Sequence, residues 1–142
     1  MTPKEVIEKT YECFASGEME AFTKLDTPDC VFIMNGAHQL SGTYNGMADF
    51  MERMMSQIPS VFPPNFSLVN EWMIAEGNKV FTHAKATGDG LDAYFGFASE
   101  IEGDKTKKIM EIPSASFEIQ RRPCQPSESF CLQISSFPRR QK

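Results

Sequence analysis

No run of about 18 consecutive apolar residues occurs in the chain, so a membrane-spanning helix is not expected. The opening MTPKEVIEKT has no basic start leading into an apolar block. A secretory leader is therefore not expected, and a cytoplasmic location is. The four cysteines, Cys13, Cys30, Cys124 and Cys131, never take a CxxC spacing, and neither histidine lies near a cysteine pair. That spacing argues against zinc, and reduced thiols are expected; no metal or other cofactor is implied. GxSxG, HExxH and a phosphate-cradling glycine loop are all missing. Basic residues are the minority, 14 Lys and Arg against 19 Asp and Glu. The imbalance is also uneven. Arg121, Arg122, Arg139, Arg140 and Lys142 face only Glu128 in the last stretch, a net +4, which leaves −9 on residues 1–120. An acidic body does not attract phosphates, so nucleic acid is not an expected partner.

What is present is one domain's worth of chain, 142 residues with 41% hydrophobic and 23% charged content. Thr2-Pro3-Lys4-Glu5 reads as a capping box with proline in the first turn. Val6, Ile7, Thr10, Tyr11 and Phe14 then share a helical face, and Gly17 is the stop. A shorter helix carries Met19, Phe22 and Leu25 inward before Asp26-Thr27-Pro28-Asp29 breaks it. Cys30 to Asn35 reads as a strand, Gly36 as a turn, and Gln39 to Tyr44 as the return strand. Asn45 then caps a helix striped with Met47, Phe50, Met51, Met54, Met55 and Ile58.

Strands are expected over 66–75, 79–87, 91–102 and 107–120, separated by Glu76-Gly77-Asn78, Gly88-Asp89-Gly90 and Gly103-Asp104-Lys105. Pro113 marks an edge, a bulge or an early end in the last of these. Helices first and sheet later predict an α+β fold, with helices on one face of a curved antiparallel sheet. Residues 1–120 form this unit. Residues 121–142 read as a basic, Ser/Pro-rich tail without a period of its own, expected to be poorly ordered.

Four segments in this order, YECFASGEMEAF, VFIMNGAHQLSGTYNG, MIAEGNKVFTHAKATG and EIEGDKTKKIMEI, resemble the nuclear transport factor 2-like superfamily, in its SnoaL-like, ketosteroid-isomerase-related branch. The resemblance covers roughly residues 4–111. It implies a cystatin-like cone, in which a bent sheet wraps the helices around a deep pocket for a small apolar molecule. It also implies a homodimer through the outer sheet face. The isomerases' strand aspartate falls on Ile33, their helix tyrosine near Thr10, and their protonated aspartate near Ala98 or Ser99. The cyclase-type acid of the last strand belongs after Ile112, where Pro113-Ser114-Ala115-Ser116-Phe117 has none. The resemblance therefore implies a pocket protein for an apolar or amphipathic ligand without the family's usual base. An isomerase- or cyclase-type enzyme and a protein-interaction module are the alternatives.

For the enzyme alternative the candidate catalytic residues are His83, mid-strand and titrating near neutrality, and Asp92 at a rim turn. His38 sits in the hairpin turn, where side chains face water, and ranks below His83. Glu71 and Trp72 point to opposite faces of a strand, and Trp72 is the one expected inward. The expected pocket wall is Tyr11, Phe14, Phe32, Met34, Phe50, Met51, Met54, Trp72 and Tyr94, with the methionines supplying adaptable apolar surface.

Overall fold

The computed structural model describes residues 1–113. The expected domain end at 120, the tail over 121–142, and Cys124 and Cys131 lie outside the described residues. Helix α1 spans Pro3–Ser16. Thr2 Oγ1 accepts from the Glu5 N–H at 3.3 Å while the Glu5 carboxylate accepts from the Thr2 N–H, so two of the orphan donors of the first turn are satisfied. Gly17 ends the helix at φ 75°, and its N–H bonds back to the last turn. Val6, Ile7, Thr10 and Cys13 are the buried stripe. Val6 and Ile7 pack with Val80 and Ile101 of the sheet, each burial worth about 1.5–3 kcal/mol. Helix α2, Met19–Lys24, buries Phe22, and Leu25 follows it into the core.

Strand β1 runs Asp26–Met34, so it begins inside the segment read from sequence as a helix breaker. Its pairing shifts between Asp26 and Val31, and the slip accommodates Pro28, which has no N–H to give to a ladder. Strand β2 is short, Gly42–Asn45. At Gly46 the backbone turns at φ 93° within 3.0 Å of the Pro28 carbonyl oxygen, measured from where a Cβ would stand, so only glycine fits.

The methionine-rich segment is not one regular helix. It is α3 (Met47–Asp49), a widened π-turn stretch (Phe50–Met54), a tight 3₁₀ turn (Met55–Gln57) and α4 (Ile58–Val61). Gly46, not Asn45, occupies the cap position. Asn45 instead donates its backbone N–H to Asp49 Oδ2 at 2.9 Å.

Strands β3 (Ser67–Glu76), β4 (Lys79–Gly88), β5 (Leu91–Glu102) and β6 (Lys105–Pro113) follow as an antiparallel meander. The sheet order is β2-β1-β6-β5-β4-β3. It is mixed rather than wholly antiparallel, because β1 runs parallel to β6, with Phe32 opposite Ile109 and Met34 opposite Glu111. A distant pair of this kind leaves no local sequence signal, unlike a hairpin. Helices on one face of a curved, largely antiparallel sheet are otherwise the expected α+β cone.

Asp26, at the start of β1, is a buried carboxyl group. Asp26 is almost fully enclosed, and neither of its oxygens nor Thr106 Oγ1 completes a hydrogen bond among the described residues. Burial pushes its carboxyl up to about 7, against the pull of the Thr106 hydroxyl and Lys105 beside it. The folded state therefore holds a proton that the unfolded chain releases near the ordinary aspartate value of 3.8. Stability from this group is complete below that value. It falls with rising pH by about 1.4 kcal/mol per unit, until the folded group also ionises near pH 7. Replacing Asp26 by Asn removes the term. Urea denaturation at pH 5 and pH 8 is expected to show Asp26→Asn gaining on the wild type by about 2–3 kcal/mol between the two. Parallel pH dependences would refute this.

Candidate pocket and its polar end

The inward positions of β4 are Val80, Thr82, Ala84 and Ala86, and those of β5 are Leu91, Ala93, Phe95, Phe97 and Ser99. A cavity of about 130 Å³ lies between sheet and helices, where Thr82 and Ser99 present small side chains to it. Phe32 stacks on Phe50 with ring centroids 3.8 Å apart, and Phe62 on Phe66 at 4.2 Å. Phe14 and Phe22 from the helices and Phe95 and Phe97 from β5 add further rings to the lining. Met34, Met54 and Met55 fill between the rings.

Polar groups are few. Thr10 Oγ1 is spent on the Val6 carbonyl at 2.9 Å. Tyr11 borders the cavity, and burial pushes its phenol far above the usual range. The Thr82 hydroxyl beside it pulls the other way, without reaching hydrogen-bond geometry.

Ser99 also borders the cavity, and beside these hydroxyls stands an acid–imidazole pair. Glu111, on β6, is 6% exposed and faces the cavity, and its Oε1 accepts no hydrogen bond among the described residues. His38 Nε2 stands 3.6 Å from that oxygen. The turn carrying His38 is fastened twice to Ser41, from the His38 N–H to Ser41 Oγ and from the Ser41 N–H to the His38 carbonyl, both at 3.0 Å. The Leu40 N–H donates to His38 Nδ1 at 3.2 Å, which puts the ring proton on Nε2, toward Glu111. Tyr44 holds Leu40 in turn, donating its hydroxyl to the Leu40 carbonyl at 2.8 Å. Asn35 Nδ2 donates to the Glu111 carbonyl at 2.7 Å and anchors the strand end.

Of the residues singled out from sequence, Tyr11, Phe14, Phe32, Met34, Phe50 and Met54 line this cavity. Met51 packs against the core but does not border the space. Trp72, Tyr94, His83 and Asp92 are on the opposite face of the sheet. The alternation that turns Thr82 and Ala84 inward turns His83 outward, where its ring lies between Trp72 and Tyr94 at centroid distances of 4.8 and 4.9 Å.

Trp72 also corrects the expected inward facing. A register shift between Asn70 and Trp72 puts Glu71 and Trp72 on one face, with Glu71 Oε2 3.5 Å from His83 Nδ1. Asp92 is well exposed and pairs with Lys85 at 3.5 Å. His38, expected to face water, faces the pocket instead. Glu111 is not among the residues expected from sequence, since the resemblance puts the cyclase-type acid after Ile112. The signal for it was present: Ile109, two residues earlier, is apolar, and alternation puts Glu111 on the same face.

A SnoaL-like domain model matches residues 7–118. No curated protein matches. Among solved structures, Bal32a from a soil-derived mobile gene cassette is similar over 84% of this chain and 96% of its own, with 16% identity and a TM-score of 0.75. An NTF2-like protein from Burkholderia thailandensis is similar over 87% and 99%, at 11% identity and a TM-score of 0.77. TerC, co-crystallised with polyporic acid, is similar over 80% and 92%, at 21% identity and a TM-score of 0.69. At these identities the structures speak to the fold. With the domain match covering most of its length, the chain belongs to the SnoaL-like domain family, and its fold is like that of solved NTF2-like and cystatin-like structures.

Proposed function

We propose that this protein binds a small, mainly apolar ring compound inside the cone, held by aromatic walls and oriented by Glu111 and His38. One observation carries the reading: an almost wholly apolar cavity that has a buried carboxylate oxygen, without a hydrogen bond among the described residues, at one end. A buried polar atom left unmatched costs about 1–3 kcal/mol, so a molecule that matches it is favoured there. TerC, of the same fold, was co-crystallised with polyporic acid, which supports the reading by analogy of fold. The cytoplasm is the proposed location, supported by Cys13 and Cys30 as buried free thiols.

A second reading, an isomerase- or cyclase-type enzyme, is favoured by the same pair. A carboxylate and an imidazole of set tautomer in a water-poor cavity are the components of proton transfer. In that reading Glu111, rather than His83 or Asp92, is the group beside the ligand. His83 and Asp92 lie across the sheet from the cavity.

The outer face supports a homodimer as part of the proposal. Val69, Trp72, Ile74, Tyr94 and Ile112 are large apolar side chains left exposed, Ile74 by 64%. Contiguous apolar surface of this kind marks association.

Two measurements bear on these readings. Toluene titrated into protein with carbon-13 methionine methyls is expected to shift Met34 and Met54 and leave Met1 unmoved. Ser99→Phe, which fills the cavity, is expected to abolish those shifts. Unchanged Met34 and Met54 signals in saturating toluene would sink the pocket. Sedimentation equilibrium is expected to give a dimer for the wild type and a monomer for Trp72→Asp. A wild type that stays monomeric at every concentration would end the dimer proposal.

A further inference from the structure

We infer that association of two copies of this chain through the outer sheet face is proton-linked: His83, held between Trp72 and Tyr94 beside Glu71, takes up a proton as the copies meet. The dimer then tightens as pH falls through the histidine range. This rests on the homodimer reading above and adds its regulation.

Charge makes a second copy the occupant of this face. Residues 1–120 carry a net −9, so two copies repel through most of their surface. The outer face carries both signs instead. Lys79 pairs with Glu100 at 3.7 Å and Lys85 with Asp92 at 3.5 Å, on either side of the exposed apolar side chains. A two-fold contact sets the same patch against itself, and a patch of mixed sign meets its copy without net repulsion.

One acid on the face is left without such a partner. Glu71 has no lysine or arginine within ion-pair reach among the described residues, and its Oε2 faces His83 Nδ1 at 3.5 Å. That nitrogen is buried and makes no hydrogen bond among the described residues. In the free protomer Glu71 is 38% exposed, so water carries its charge. Association through Trp72 beside it removes that water. A carboxylate against a neutral imidazole is then a buried charge without a counter-charge, which is costly. A protonated imidazole supplies the counter-charge.

The ring stack favours the same state. The imidazole lies within 11° of the Trp72 plane and 20° of the Tyr94 plane, at centroid distances of 4.8 and 4.9 Å. A cation between two aromatic faces is attracted to both, more strongly once water is gone. The other groups that face His83 are few among the described residues. From β3 they are Glu71 and Trp72. From β5 they are Tyr94, Gly96 opposite it in register, and Asp92, which holds the Lys85 cation of β4. The helices pack on the other face of the sheet. The state that binds more protons gains as pH falls, and protonation and association strengthen each other equally.

The test is fluorescence-detected sedimentation of the full-length chain from nanomolar concentration upward, at pH 6 and pH 8 and one ionic strength, a span that brackets ordinary histidine titration. The wild-type dimer Kd is expected to be about tenfold lower at the acidic end, within the usual range of coupling between two binding events. His83→Phe keeps a flat ring in the stack without a titrating nitrogen, and is expected to lose most of that ratio. Glu71→Gln keeps the shape without the charge, and is expected to lose most of it too. His38 and Asp26 are present in all three proteins, so their titration cancels in the comparison.

A wild-type Kd that is equal at the two pH values, or lower at pH 8, would overturn the inference and leave the homodimer reading standing. So would a ratio that either variant leaves intact. A wild type that is monomeric at both pH values and every concentration would overturn the homodimer reading and this inference with it. If His83→Phe fails to fold, Glu71→Gln decides, since its side chain lies at the surface.

Discussion

Parallel pairing of β1 with β6 is the constraint on which the pocket depends. The two strands are brought together by everything between them, because a parallel pair has no hairpin to set its register. Once formed, the register puts Phe32 beside Ile109 and Met34 beside Glu111. Asn35, one residue past the strand, then bonds the Glu111 carbonyl, and the turn beyond it carries His38 over the Glu111 side chain. A slip of one residue in β6 would turn Glu111 to the outer face and Ile112 into the cavity, since strand side chains alternate.

The same residues serve as core and as pocket wall. Phe32 and Phe50 stack closely enough to count as core, yet both border the cavity. On the sheet side, Thr82 and Ser99 present small side chains to the space beside the rings of Phe32, Phe95 and Phe97. The widened turn over Phe50–Met54 bears on this too. It faces Phe50 and Met54 toward the cavity while Met51 packs against the core outside it. On the outer face the order is reversed, with large side chains exposed: Trp72, His83 and Tyr94 stack in a row across three strands.

Much of this was legible one element at a time. The capping box at Thr2 and Glu5 marks the start of α1, because its partners are three residues apart. The glycines at 77 and 103 mark the turns of the meander, because a positive φ favours glycine. Alternation along β4 separates Val80, Thr82, Ala84 and Ala86 from Phe81, His83 and Lys85. It does not say which set is inside. Hydrophobicity alone misplaced Trp72, because the shift at Glu71 is a property of pairing with β4 and leaves no mark in β3 itself.

Sequence by itself determined the element order, the helix ends, the strand periodicity and the family, because each of these rests on residues close together along the chain or on their ordered spacing. Tertiary structure alone decided the site. His38 and Glu111 are 73 positions apart and on segments that read as an exposed turn and a strand end. They meet only because β6 enters the sheet between β5 and β1, and that placement is set by packing of the whole cone rather than by any local preference.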